Sequence, residues 1–292
     1  MKAVGILSLV AAALFTGVLD AQENVKQVSV NGTKLYYVEQ GTGAPVVFVH
    51  GAISDHRTWD GQREAIGARY RFIALDRRYF GRAPWPDSAT HRSLEGDAAD
   101  LAAFIRELQI APAFVVGSSG GAVVALLAAV RYPELIRGLF VHEGGIGSLV
   151  TNSADRRQLD ASDSLREAPK EAAATGNATE AVRLFLQRSS GVPVSLDTIP
   201  PRLRTMFMEN ARTLTLPNVA PTITCANLSQ IRIPVTISRG EFVLPAMKKM
   251  TDIEHRCISQ SQLVTIPSAG HGAHRQNAVG FNSALLEFLS RN

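Results

Sequence analysis

Hydrophobic positions along the chain fall into two recurring patterns. Short runs that are apolar throughout and rich in β-branched residues occur at Val46–Val49, Phe72–Leu75, Phe114–Val116, Leu139–Val141, Val235–Ser238 and Leu263–Ile266. Strands buried on both faces of a parallel sheet read this way. Between them, Ser93–Gln109 repeats its apolar residues three and four apart, and Ala122–Val130 is almost wholly apolar, as expected for a half-buried and a fully buried helix. Upstream, Gln27–Val30 and Leu35–Glu39 flank Asn31-Gly32, a two-residue turn signal that predicts an antiparallel hairpin. Strands alternating with helices predict an α/β fold built on a doubly wound, mostly parallel, eight-stranded sheet.

That alternation stops between about Ser148 and Gln230. There the chain turns to Ala, Arg, Ser and Thr, with helical patterns at Asp155–Thr175, Thr179–Arg188 and Arg202–Arg212 and with Pro200-Pro201, Pro217 and Pro221 as breakers. The economical arrangement is a helical cap at residues 148–229, inserted into a core formed by residues 22–147 and 230–292. Such an insertion would cover the carboxyl ends of the strands, where open α/β sheets bind ligands. Leu159, Leu165, Leu184, Phe185, Met206, Phe207 and Met208 suggest an apolar enclosure, although packing of cap on core accounts for them equally well.

The first residues obey neither pattern. Met1-Lys2 is followed by a largely apolar run, Ala3–Leu19, and then by Asp20-Ala21 and polar Gln22-Glu23-Asn24. Residues 1–21 therefore read as a signal peptide cleaved near Ala21, which predicts export to a periplasmic or extracellular site. A membrane anchor is the alternative; the run is at the short limit for spanning a bilayer and no basic stop signal follows, so no stable anchor is expected after processing.

Composition narrows the partners. At 292 residues the chain can bury a core without metal or disulfide staples. Its formal net charge of +4 comes from interspersed acidic and basic residues with no Lys/Arg run of five, so nucleic acid is not an expected partner. Two cysteines, Cys225 and Cys257, could pair in an oxidising compartment or lie buried as separate thiols. Neither has a metal-site spacing, and no metal or cofactor is predicted. Nothing in the sequence decides the oligomeric state.

The chemistry concentrates in Gly117-Ser118-Ser119-Gly120-Gly121, which follows the run Phe114–Val116 and precedes a helix. This is G-x-S-x-G between a strand and a helix, with Ser119 central; the glycines relieve the crowding of a turn that holds the serine in a strained conformation. An attacking serine needs donors for the oxyanion it creates. Gly120 supplies one backbone N–H, and the loop His50-Gly51-Ala52 after the third strand supplies the second from Ala52, with Gly51 as the alternative. His50 itself is read as packing under that loop.

In this chain order the general base comes after the last strand. His271, between glycines in Pro267-Ser268-Ala269-Gly270-His271-Gly272, fits; His274 is read as structural, and His56, His91 and His255 need no special role. The acid is less direct. Val243 stands in Ser238–Pro245 where an aspartate would be expected, and valine cannot orient an imidazole. Two carboxylates could substitute: Glu241 beside it, or Glu143 at the end of the sixth strand in His142-Glu143-Gly144-Gly145. A charged residue ending a buried strand and followed by glycines suits a cleft, which favours Glu143.

The segments His50–Trp59, Ala74–Pro86, Val115–Gly145, Ile233–Glu241 and Ile266–Asn277 resemble, in order and spacing, the α/β-hydrolase superfamily. The Ser-Ser-Gly turn with a His-Glu pair at the next strand end looks like fungal zearalenone lactonases, in which a glutamate at that place completes a Ser-Glu-His triad. The resemblance thus implies Ser119, His271 and Glu143 as catalytic residues of an ester or lactone hydrolase acting on a small, largely apolar substrate. A serine nucleophile argues against haloalkane dehalogenases and epoxide hydrolases, which use aspartate there. Asp76–Gly81 matches a loop of structural role, and Trp59 a packing anchor. Two rival functions are a cofactor-free perhydrolase, as similar enzymes show, and a non-catalytic binding protein on the same scaffold.

Overall fold

The computed structural model describes residues 23–85, 92–163, 167–216, 218–219 and 221–292. The leader at 1–21, His91 and Leu165 lie outside them. Eight strands form one sheet: β1 Lys26–Val30, β2 Thr33–Gln40, β3 Pro45–Val49, β4 Arg71–Asp76, β5 Ala113–Ser118, β6 Ile136–His142, β7 Val235–Gly240 and β8 Gln262–Ile266, in the order β1-β2-β4-β3-β5-β6-β7-β8. β1 and β2 pair antiparallel about Asn31-Gly32, and β2 runs antiparallel to β4, while all later pairs are parallel. The expected sheet is therefore present with its expected sense.

Register explains why chemistry collects at one edge. Val49 lies opposite Gly117, Ser118 opposite His142, and His142 opposite Ser238. The chain thus leaves β3, β5, β6 and β7 at one level, so the loops carrying Gly51, Ser119, Glu143 and Glu241 emerge side by side. Strands β3 to β6 are almost fully buried, as their all-apolar runs require.

Helices cover both faces. On one side α1 Asp60–Gly67 and a terminal helix Ala278–Arg291 enclose a core of Phe48, Trp59, Phe72, Phe140 and Phe281. On the other, α2 Leu94–Glu107 and α3 Gly120–Arg131 pack Leu101, Phe104, Val124 and Leu126 against the sheet. Ser93 caps α2 by accepting from the Gly96 amide at 3.1 Å, which sets the start of the predicted helix.

Between β6 and β7 the chain is helical. Within the helical pattern over Asp155–Thr175, the described residues form α4 Ser153–Asp163 and α5 Glu167–Ala174. Then follow α6 Ala178–Ser190, α7 Pro201–Asn210 and α8 Cys225–Leu228. α7 stops before the predicted Arg212 because the chain tightens into a 3-10 turn at Ala211–Thr215. Val182, Met206, Phe207 and Ala211 bury against Ile53 of the loop after β3, joining this segment to the site below it.

After β7 comes α9 Pro245–Cys257, amphipathic but not anticipated from the sequence; Cys257 at its end is joined by a disulfide to Cys225 of α8, with Cα atoms 5.0 Å apart. The open question of the two cysteines resolves as a pair. Among the described residues no helix is long and apolar enough to cross a membrane.

Candidate active site

Ser119 occupies the turn between β5 and α3 with φ 55° and ψ −123°, a conformation that costs a non-glycine residue energy and persists only where the surroundings impose it. They do so sterically. A Cβ at Gly117 would lie 2.4 Å from the Gly121 carbonyl oxygen, and one at Gly121 would lie 2.0 Å from that of Val49. Gly51 is less crowded but still tight, since a Cβ there would stand 3.2 Å from Cβ of Ser119. Gly120 opens α3, so its amide is among those at a helix start with no intrahelical acceptor.

The loop after β3 is held from behind. The Gly51 carbonyl accepts from Arg77 Nη2 at 2.8 Å and from His50 Nδ1 at 2.8 Å, and His50 Nε2 accepts from the Arg77 amide at 3.0 Å. His50 is fully buried and its pKa is pushed well down by burial, so it is a neutral strut, as the sequence reading held. Because the peptide is trans, a carbonyl fixed toward Arg77 turns the Ala52 N–H to the opposite side. Ala52 lines the same cavity as Ser119. Ile53 follows at φ 45°, unusual for a β-branched residue, with its side chain fully buried.

Glu143 and His271 meet directly, since Nδ1 of His271 donates to Glu143 Oε2 at 2.7 Å and the Gly240 amide donates to Oε1 at 2.8 Å. Glu143 itself takes φ 47°, turning its side chain from the end of β6 toward the His271 loop. Burial would raise its pKa, yet the hydrogen bonds from His271 and from the Gly240 amide hold it below the usual range, so it is ionised. Glu241, the other candidate, instead accepts from the Ser268 amide at 2.7 Å in an exposed position, where it holds the turn after β8.

Three neighbours were not picked out by sequence reasoning. His142 is buried, with Nδ1 3.0 Å from Ser238 Oγ and Nε2 3.7 Å from Glu143 Oε1; burial lowers its pKa to about 4, leaving it neutral beside the carboxylate. Glu254 of α9 is fully buried and accepts from the Ile146 amide at 3.2 Å, supporting the turn after Glu143. Arg275 follows the His271 loop. His142 stands in the His-Glu pair read from the sequence, which assigns it no role of its own; Glu254 and Arg275 are revealed only by packing. His274 is buried beside Trp59 with its pKa pushed well down by burial, the structural role expected of it.

Ser119 and His271 line one cavity of about 650 Å³ beneath the inserted helices. Its wall is mainly apolar, from Ile53, Phe185, Leu203, Phe207 and Phe242. Of the residues suggested as an enclosure, Phe185 and Phe207 reach this wall. Met206 is wholly buried between helix and core, and Leu159 packs with Val150 and Met250.

Asp55, His56 and Asp76 also bring possible metal-ligand atoms within 4.8 Å of one another. Protons fill that space, however. The amide and Nδ1 of His56 both lie 2.7 Å from Asp76 Oδ1, and Asp55 accepts from Arg57 and Asn210. The cluster reads as an ion-pair network.

A scaffold with a strained serine after its fifth strand and a buried Glu-His pair beside it invites comparison with known proteins. The model of the "Alpha/beta hydrolase family" matches residues 46–284. The chain belongs to the alpha/beta hydrolase family. Among similar proteins, an epoxide hydrolase of Caballeronia sordidicola is 36% identical over 114 residues, 39% of this chain and 35% of that protein. A putative non-heme bromoperoxidase of Mycobacterium tuberculosis is 40% identical over 104 residues, 35% of this chain and 38% of that protein. The matched stretch thus spans little more than a third of either relative. A bromoperoxidase structure from Bacillus anthracis superposes with a TM-score of 0.75 at 23% identity, covering 91% of this chain and 99% of that one, which reflects the shared fold.

Proposed function

We propose that this alpha/beta hydrolase is an exported serine hydrolase that cleaves a carboxylic ester or lactone of a small substrate through an acyl-enzyme. The observation that carries this reading is the 2.7 Å hydrogen bond from His271 Nδ1 to buried Glu143, in a cavity that Ser119 shares. With Nδ1 carrying the proton given to Glu143, Nε2 of the neutral ring is the basic nitrogen. His271 Nε2 takes the proton as Ser119 Oγ bonds to the substrate carbonyl carbon, and Glu143 stabilises the imidazolium that results. The amides of Gly120 and Ala52 bind the oxyanion. Collapse of the tetrahedral intermediate breaks the bond to the alcohol, which leaves with the proton from His271. Water then repeats the sequence, giving the carboxylic acid and restoring Ser119.

A fluorophosphonate probe tests the nucleophile. The wild type should be labelled and Ser119→Ala should not; equal labelling, or none of either, ends the enzyme reading and leaves the binding-protein alternative. Glu143→Gln should lower kcat by roughly 10³- to 10⁴-fold, in line with other triads that lose their acid, whereas Glu241→Gln should not.

A second reading is supported by the relative named a putative non-heme bromoperoxidase, matched over 38% of its length. In it, hydrogen peroxide replaces water at an acetyl-enzyme and releases peracetic acid. Assays with acetate and peroxide beside ester assays separate the two.

A further inference from the structure

Among its described residues, the cavity wall carries one permanently charged side chain. Among the described residues lining it, Arg275 is the single Lys, Arg, Asp or Glu. It stands in the one-turn helix Ala273–Gln276 directly after the His271 loop, and a Cβ at Gly272 would lie 2.9 Å from its Nη2. The guanidinium therefore sits against the backbone next to the base. Its Nη1 donates to Thr58 Oγ1 at 2.9 Å and to His274 Nε2 at 3.1 Å, both neutral acceptors, and it faces the Phe207 ring with 5.2 Å to the centroid.

Several other arginines pair with carboxylates: Arg57 with Asp55, Arg71 with Glu39, Arg77 with Asp97 and Arg78 with Asp100. Among the described residues no carboxylate lies within ion-pair distance of Arg275. Burial alone lowers its pKa, to about 10, so the group remains a cation at neutral pH. An uncompensated charge in an apolar wall is costly, and its planar fork of donors matches a carboxylate.

Resting on the serine-hydrolase reading above, we infer that Arg275 is a specificity-determining residue that binds a free carboxylate of the substrate, so that the preferred substrates are esters or lactones with an anionic end, such as monoesters of short dicarboxylic acids. The apolar wall then accommodates the methylene spacer, and the pairing orients the acyl carbonyl toward Ser119.

The test compares 4-nitrophenyl hemiglutarate with 4-nitrophenyl valerate, which differ by carboxylate for methyl. Wild type should favour the hemiglutarate in kcat/KM by roughly 10- to 100-fold, the range of one charge-assisted hydrogen-bonded contact. Arg275→Met should abolish that ratio and Arg275→Lys should restore part of it; a general loss of activity cancels in the ratio. Binding of monomethyl glutarate to Ser119→Ala, followed by calorimetry, reads the anion site without turnover and should weaken at least about tenfold when Arg275→Met is added. A ratio near one in wild type, or one unchanged in Arg275→Met, overturns the inference, as does equal binding by the two Ser119→Ala proteins. Failure to hydrolyse either ester while binding still depends on Arg275 sinks the serine-hydrolase reading and leaves the carboxylate site standing.

Discussion

Two buried carboxylates lie near each other at the ends of β6 and α9, and their environments set them apart. Glu143 accepts from His271 and from the Gly240 amide, which keep it ionised despite burial. Glu254 accepts only from backbone amides of the turn at 145–146, and burial, with the nearby Glu143 charge adding to it, raises its pKa from 4.5 to about 7. A carboxyl that binds its proton more tightly when folded contributes stability below its unfolded pKa. That contribution fades as pH rises from about 4.5 to about 7, the window between the two values. At ~1.4 kcal/mol per unit the loss is of order 3 kcal/mol. Glu254→Gln cannot titrate, so its stability relative to wild type, from urea unfolding, should improve by roughly 2–3 kcal/mol between pH 4.5 and 8. A difference independent of pH would refute the assignment.

The elements meeting at the strand ends leave no room for a side chain at two positions of the nucleophile turn, Gly117 and Gly121. Gly117 and Gly121 are required by close approach to the neighbouring backbone, and Gly121 abuts β3 where it opens into the Gly51–Ala52 loop. Gly121→Ala must push these apart and should cost about 3 kcal/mol, the upper range for overpacking, with loss of fluorophosphonate labelling. Gly96, exposed on the solvent side of α2, is the control, since a Cβ there would meet nothing nearer than 3.7 Å. Gly96→Ala should raise stability by up to about 1 kcal/mol through helix propensity. Thermal melts of the two variants moving in the same direction would contradict this account. The inserted helices matter at this scale because Ile53, one residue past the Ala52 amide, buries into them. Their packing thus holds the loop in its left-handed conformation.

Across the whole molecule, two sets of links join distant parts of the chain. The Cys225–Cys257 disulfide closes a separation of 32 residues between the end of the insertion and α9. Loop-closure entropy makes such a bridge worth about 3–4 kcal/mol, so Cys225→Ser/Cys257→Ser should unfold at correspondingly lower urea; an unchanged midpoint under non-reducing conditions would mean that the bridge contributes nothing. The second set starts at Glu23, which pairs with His56, Arg63 and Arg202, and Arg202 continues to Asp60, tying the start of the described chain and α7 to the core. The sequence by itself determined the sheet and the glycine turn around Ser119, and it pointed to His271 as the candidate base. Those features are written in local patterns: buried parallel strands demand continuous apolar runs, and a tight turn demands glycines at fixed offsets. It also narrowed the acid to two residues by the missing aspartate at Val243. Only the tertiary structure decided between Glu143 and Glu241 as the partner of His271, joined the two cysteines, and placed Arg275 on the cavity wall. Each depends on which side chains the register and crossovers bring together from more than 30 residues apart or on what the surrounding wall fails to supply, as with the carboxylate missing beside Arg275. Neither condition leaves a local trace in the chain.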